Sequence, residues 1–259
     1  MREDTHDDDR QVDEDRPLLT HLLELRSRLM RTLIVVLVVF LCIYPFRDAL
    51  YAWLSGPLRA VLPAGASMIA TQVATPFLIP LKLALVSAFF LSIPYILYQL
   101  WAFVAPGLYR HERRLAWPLL FSSVVLFYAG MAFAYFVVFP LVFKFFAGAA
   151  PEGVSMMTDI GEYLSFVLTL FFAFGAAFEV PIATILLVRT GITTRQALSG
   201  KRPIVIVAAF TVGMLLTPPD VISQVLLAVP IWLLFELGVI FSAWFEPRGD
   251  QSRVSEDEN

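Results

Sequence analysis

Four short polar clusters stand out against the apolar background of this chain, and each restricts the chemistry available to it. Glu24 lies in His21-Leu22-Leu23-Glu24-Leu25-Arg26, and Glu112 in Tyr109-Arg110-His111-Glu112-Arg113-Arg114. Accessible carboxylates of this kind suit a pair of guanidinium groups, whose N–H donors form a planar fork matched to carboxylate oxygens. Simpler readings exist for both: Glu24 can pair with Arg28 four residues on, and Glu112 can neutralise part of a basic membrane anchor. Glu179, in Phe178-Glu179-Val180-Pro181, is an ionisable residue inside an apolar run, a costly placement that marks a functional position by default. It can equally be satisfied by a neighbouring helix or by a carbonyl or hydroxyl freed near the bend at Pro181. Thr217-Pro218-Pro219-Asp220 makes a rigid turn, followed by Ser223 and Gln224. Asp220 most simply caps the next helix, whereas Gln224 can bond to another span or an inserted helix and extend a polar seam with Glu179.

No catalytic or metal-binding constellation accompanies these groups. The histidines are His6, His21 and His111, none with Cys or acid at metal-ligand spacing, and no Gly-rich phosphate loop is present. The single cysteine, Cys42, lies in an apolar run, which excludes a disulfide framework within the chain. An enzyme, a resident cofactor or a metal centre is therefore not expected. Nucleic-acid binding is also disfavoured, because the basic residues gather at the edges of apolar runs without an aromatic platform.

The elements that must position these residues are membrane spans. The chain has 259 residues, 58% hydrophobic and 16% charged, and a mean hydropathy of +0.74, well beyond ordinary soluble domains. Apolar runs fall at Leu29–Tyr44, Phe77–Val104, Leu115–Phe139, Tyr163–Val188, Ile204–Leu216 and Val221–Phe245. Most approach the ~20 residues a helix needs to cross the hydrocarbon layer, and the fifth is short. With six spans the two termini share a side, and that side holds fifteen Lys and Arg against four at Arg47, Arg59, Lys82 and Lys144. The excess places both termini in the cytoplasm.

Residues 1–16 read as a disordered acidic tail, with eight acids and two arginines before Arg16. Residues 17–246 form the membrane domain and 247–259 a polar cytoplasmic tail. No cleavable signal peptide is evident, so insertion falls to the first apolar span. Leu18, Leu22, Leu25 and Leu29 recur at helical spacing and predict an amphipathic helix at the cytoplasmic interface that leads into it. Two external segments, Phe46 to Pro76 and Phe143 to Glu162, are long enough to form partly ordered caps. Prolines within or beside spans, at Pro94, Pro118, Pro140, Pro181 and Pro230, predict bends. The absence of an internal repeat weighs against an inverted-repeat transporter. A small-solute transporter or channel remains the rival class, with Glu179, Asp220 and Gln224 lining its path, but the spans are otherwise apolar. A membrane-embedded protease would need a nucleophile and base inside the spans, where no histidine lies.

The ordered series His21-Leu22-Leu23-Glu24-Leu25-Arg26, Pro57-Leu58, Trp101-Ala102-Phe103-Val104-Ala105-Pro106-Gly107-Leu108-Tyr109, His111-Glu112-Arg113-Arg114, Phe178-Glu179-Val180-Pro181 and Leu216-Thr217-Pro218-Pro219-Asp220 resembles the TatC family of the twin-arginine, Sec-independent protein translocase. The likeness runs from about Pro17 to Phe245. It implies an all-α membrane protein with six transmembrane helices in a curved, glove-like bundle, in a bacterial cytoplasmic membrane. It further implies a receptor for the Arg-Arg signal peptides of folded proteins, with transport driven by the proton-motive force. Positions matching Glu24 and Glu112 contact the twin arginines in that family, and those matching Pro57, Phe103 and Tyr109 affect recognition or transport. Those matching Glu179, Asp220 and Gln224 belong to an intramembrane seam for partner helices. The implied partners are TatA- and TatB-type single-span subunits, further copies of the chain within a TatBC-like complex, and membrane lipid. Shortened fifth and sixth spans also suit the family.

Overall fold

The computed structural model describes residues 8–56, 69–104, 113–149, 157–216 and 221–245. Among them the chain is helical apart from connectors and one isolated parallel bridge between Ile69 and Asp159. The first helix, α1, covers Asp8–Ile43 and passes through a short 3-10 turn, Tyr44–Phe46, into α2, Arg47–Leu54. The second apolar segment consists of α3, Thr75–Leu91, and α4, Ile93–Val104. These meet at an angle of 49°. The bend falls at Ser92, just before Pro94, where the ring of a proline disfavours helical geometry in the preceding turn. The Ser92 hydroxyl donates to the Ala88 carbonyl at 2.8 Å and helps satisfy the backbone there.

The third segment is α5, Arg113–Phe133, joined through a π-helical turn, Ala134–Val138, to α6, Phe139–Ala149. The fourth is α7, Ile160–Ala177, and α8, Val180–Arg189. A turn at Phe178–Glu179 separates the last two, with Pro181 in the first turn of α8, a position that tolerates its missing N–H. The short helix α9, Arg195–Gly200, leads to α10, Arg202–Leu216, and α11, Val221–Phe245, completes the order. Thr194 caps α9 by accepting from the Ala197 N–H.

Six apolar helical segments result, as the hydrophobic runs require. Four are long and apolar enough to span by themselves, the bent α3–α4 pair supplies another, and Arg202–Leu215 is shorter. At 1.5 Å per residue that fifth segment falls short of ~30 Å of hydrocarbon. Two boundaries differ from expectation. The third segment stays helical past Phe143 because Phe139, Val142 and Phe143 are buried against α7, with the Phe143 ring 5.5 Å from that of Tyr163. The helix α1 is described from Asp8 onward, so residues 8–15 of the segment expected to be disordered lie within it.

The core lies between the third and fourth segments. Phe139, Val142, Leu164, Val167, Leu170 and Phe174 are almost wholly buried there. Close helix contact requires glycine at Gly130, where a Cβ would meet the Phe174 carbonyl oxygen at 2.4 Å. Gly238 of α11 does the same against α8, where a Cβ would stand 2.8 Å from Pro181 Cα. The first expected cap is partly built by α2. Its last carbonyls lack donors within the helix, and tyrosines from neighbouring segments supply them. Tyr163 Oη donates to the Leu54 oxygen at 2.7 Å, and Tyr135 Oη to that of Trp53 at 3.2 Å. The Trp53 and Tyr135 rings stack with centroids 4.5 Å apart.

Candidate functional site

One end of the bundle gathers the N-terminal half of α1, the C-terminal end of α4 and the start of α5. Here Arg28 Nε and Nη2 both donate to Glu24 Oε1, at 3.0 and 2.6 Å. This is the i,i+4 pair anticipated by the spacing. The guanidinium does more than pair locally, because Arg28 Nη1 also donates to Gln99 Oε1 on α4 at 3.1 Å. Gln99 Nε2 in turn donates to Tyr95 Oη at 2.7 Å. A single arginine therefore ties α1 to α4 through a carboxylate and an amide. Gln99 is 7% exposed, so its polar atoms need these partners.

The Glu24 side chain is 39% exposed, and the Arg28 guanidinium meets it through Oε1 alone. It can still take a donor from outside. Phe103 is half-buried one helical turn beyond Gln99, on the same side of α4. The structure thus brings Glu24 and Phe103 to the same end of the bundle. Glu112, Tyr109 and Pro57 lie outside the described residues.

Glu179 sits at the break between α7 and α8, and Oε2 accepts from the Ser123 hydroxyl of α5. Ser123 is 1% exposed. The partner is thus a hydroxyl on a neighbouring helix, an arrangement among those the sequence left open. The other oxygen, Oε1, is buried without a hydrogen-bond partner among the described residues. A buried acceptor left open in this way can receive one further donor at little desolvation cost. Gln224 of α11 is engaged elsewhere, its Nε2 donating to the Phe210 carbonyl of α10 at 2.9 Å. Glu179 and Gln224 therefore have separate partners in this chain. Asp220 lies outside the described residues.

Some connections were not apparent in the polar clusters. Arg202 of α10 grips Glu236 of α11 side-on, Nε to Oε1 at 2.6 Å and Nη2 to Oε2 at 2.9 Å. A lone acid in the run around Phe235-Glu236-Leu237 was the available signal, as was a lone amide at Gln99 in an apolar helix. At the other end of the bundle, Asp159 Oδ2 accepts from the hydroxyl and backbone N–H of Thr71, at 2.7 and 2.9 Å. Oδ1 caps α7 by accepting from the Gly161 and Glu162 N–H groups. The Thr71 hydroxyl, followed by these backbone donors, holds the Asp159 pKa down at about 2. Among the described residues Thr71 alone bonds across to this carboxylate, joining the segment before α3 to the start of α7. No His, Cys, Asp and Glu grouping suited to a metal occurs among the described residues.

These features define a polytopic, all-α membrane protein whose polar groups tie helices together, with a partly exposed carboxylate at one end and, among the described residues, an unpartnered carboxylate oxygen within the bundle. Residues 20–230 match the family model for Sec-independent protein translocase protein (TatC). The TatC protein of Haemophilus influenzae is 58% identical over 247 residues, covering 95% of this chain and 96% of that protein. That of Azotobacter chroococcum is 63% identical over 231 residues, covering 89% and 91%. A crystal structure of the twin-arginine translocase receptor TatC is 37% identical, with a TM-score of 0.79 over 87% of this chain and 99% of that one. The chain belongs to the TatC family. It is accordingly a multi-pass subunit of the Tat protein translocase, with the six-span fold of that family, and not an enzyme.

Proposed function

We propose that this chain is the core receptor of a twin-arginine translocase. It binds the Arg-Arg signal peptides of folded proteins at the cytoplasmic face of a bacterial inner membrane. Both termini are cytoplasmic in this reading, consistent with the segregation of basic residues. Glu24 and Glu112 receive the arginine pair, while Phe103, Tyr109 and Pro57 shape the surroundings. Glu179, Asp220 and Gln224 serve TatA- and TatB-type partner helices, and several copies of the chain assemble with them. The proton-motive force supplies the energy for export.

The supporting observation is the partly exposed Glu24 carboxylate, which already accepts a guanidinium through Oε1. That chemistry suits arginine better than lysine, since the planar fork can engage two acceptors while an ammonium acts as a point charge. The unfilled oxygen of Glu179 likewise supports the partner-helix reading.

The test is photocrosslinking from position 103 to a signal peptide carrying Arg-Arg, beside a Lys-Lys peptide and receptors carrying Glu24→Ala or Glu112→Ala. The adduct should fall by roughly tenfold in each case, the scale of one charge-assisted hydrogen bond. An adduct indifferent to all three changes, in receptors that remain folded, removes the carboxylate site.

A further inference from the structure

A cleft runs between α3 and α7, away from the Glu24 cluster and from Glu179. It consists of two cavities of about 490 and 440 Å³ that share Lys82, Leu85 and Ser165. The larger continues along apolar side chains, Val36 of α1, Leu85 and Phe89 of α3, and Leu168 and Phe172 of α7. The smaller opens among polar groups, including Thr71, Gln72 and Glu162. At the junction, Lys82 Nζ donates to Ser165 Oγ at 2.9 Å. The ammonium is exposed to the cleft and has two further N–H donors. Glu162, one turn earlier than Ser165 on α7, brings an exposed carboxylate to the same polar chamber.

This order of apolar trough, cation and carboxylate complements an amphiphile with an acyl chain, a phosphate and an ammonium. We propose that the α3–α7 cleft is a binding site for a phospholipid with a primary-amine headgroup. The chain lies along Leu85, Phe89 and Phe172, the phosphate meets Lys82, and the headgroup ammonium donates to Glu162. Both cavities fall in the size range of ordinary small-molecule sites. A purely anionic headgroup fits less well, because Glu162 would repel it and Asp159 adds a second carboxylate to the chamber. An uncharged apolar ligand would make no use of the Lys82 ammonium or the Glu162 carboxylate.

The experiment is native mass spectrometry of the full-length protein in detergent, titrated separately with phosphatidylethanolamine, phosphatidylcholine and phosphatidylglycerol of identical chains. Phosphatidylethanolamine should bind more tightly than either alternative, since phosphatidylcholine lacks an ammonium N–H and phosphatidylglycerol lacks the ammonium altogether. Lys82→Gln should weaken all three by roughly tenfold, the scale of a charge-assisted hydrogen bond, and Lys82→Arg should retain binding. Glu162→Gln should abolish the preference, and Leu85→Trp should reduce all binding by filling the trough. Equal binding of the headgroups, a preference that survives Glu162→Gln, or retention indifferent to Lys82→Gln and Leu85→Trp overturns the site. So does an absence of retained phospholipid in the unmodified protein.

Discussion

Gly130→Ala puts the close contact between α5 and α7 under direct load. The added Cβ would stand 2.4 Å from the Phe174 oxygen, 2.8 Å from its carbonyl carbon and 3.0 Å from Phe178 Cδ2. An unstrained carbon–oxygen contact is about 3.3 Å or longer, so α5 and α7 must part by roughly 1 Å. The first two obstacles are backbone atoms and cannot rotate away. Overpacking of this kind costs about 1–3 kcal/mol, partly offset by the ~1 kcal/mol that alanine gains over glycine inside a helix. The expected net loss is up to about 2 kcal/mol. Gly148, also helical, has no atom within 4 Å of its added Cβ, so Gly148→Ala should gain up to ~1 kcal/mol. Tryptophan fluorescence during thermal unfolding in one detergent compares the two variants, with opposite signs expected. The strain also reaches the Ser123–Glu179 hydrogen bond, because Phe178 adjoins Glu179 and Ser123 lies two turns from Gly130. If Gly130→Ala unfolds at the same temperature as Gly148→Ala, the inferred contact between α5 and α7 is wrong.

Two other outcomes follow from polar groups at opposite depths. Asp159 has a folded pKa of about 2 against an ordinary value of 3.8. Its contribution is therefore complete above pH 4 and disappears as the pH falls from about 4 to about 2. Asp159→Asn should remove that part of the acid sensitivity, as measured by the pH at which protease cuts the segment around Thr71; an unchanged acid profile would count against the cap. Ser123→Ala should destabilise the protein by about 1–3 kcal/mol, because it withdraws the donor to the buried Glu179 carboxyl. A Ser123→Ala, Glu179→Leu double variant should recover much of this in thermal unfolding, and strictly additive losses would show that the two groups do not interact.

The spans were legible because hydrophobic runs of bilayer length admit few structures besides helices. Local relations were also legible: the Glu24–Arg28 spacing became a real ion pair, and the break beside Glu179 fell where Pro181 placed it. Partners distant in sequence were not. Nothing near Glu179 designates Ser123, 56 residues earlier, as its donor, and Arg202 meets Glu236 across 34 residues. Such pairings depend on which helix faces meet, and uniformly apolar helices carry little periodicity to announce a face. The extra length of the third segment was hidden for a related reason. Lys144 and Gly148 look like an exit from the membrane, while burial of Phe139 and Phe143 keeps the chain helical past that point.

The first spanning helix is mounted unlike the others. No residue in the most apolar window of Leu22–Leu54 is buried inside the bundle, although α1 lies along α3 and α4. Its position is set less by a packed seam than by fastenings at its two ends. One is Arg28, reaching from Glu24 to Gln99. The other is α2, whose final carbonyls are held by Tyr135 and Tyr163. Mechanically this is a stave laid against α3 and α4 and pinned at both ends, so loss of the Arg28 guanidinium or of the Tyr163 hydroxyl should loosen the span while leaving the buried core between the third and fourth segments filled.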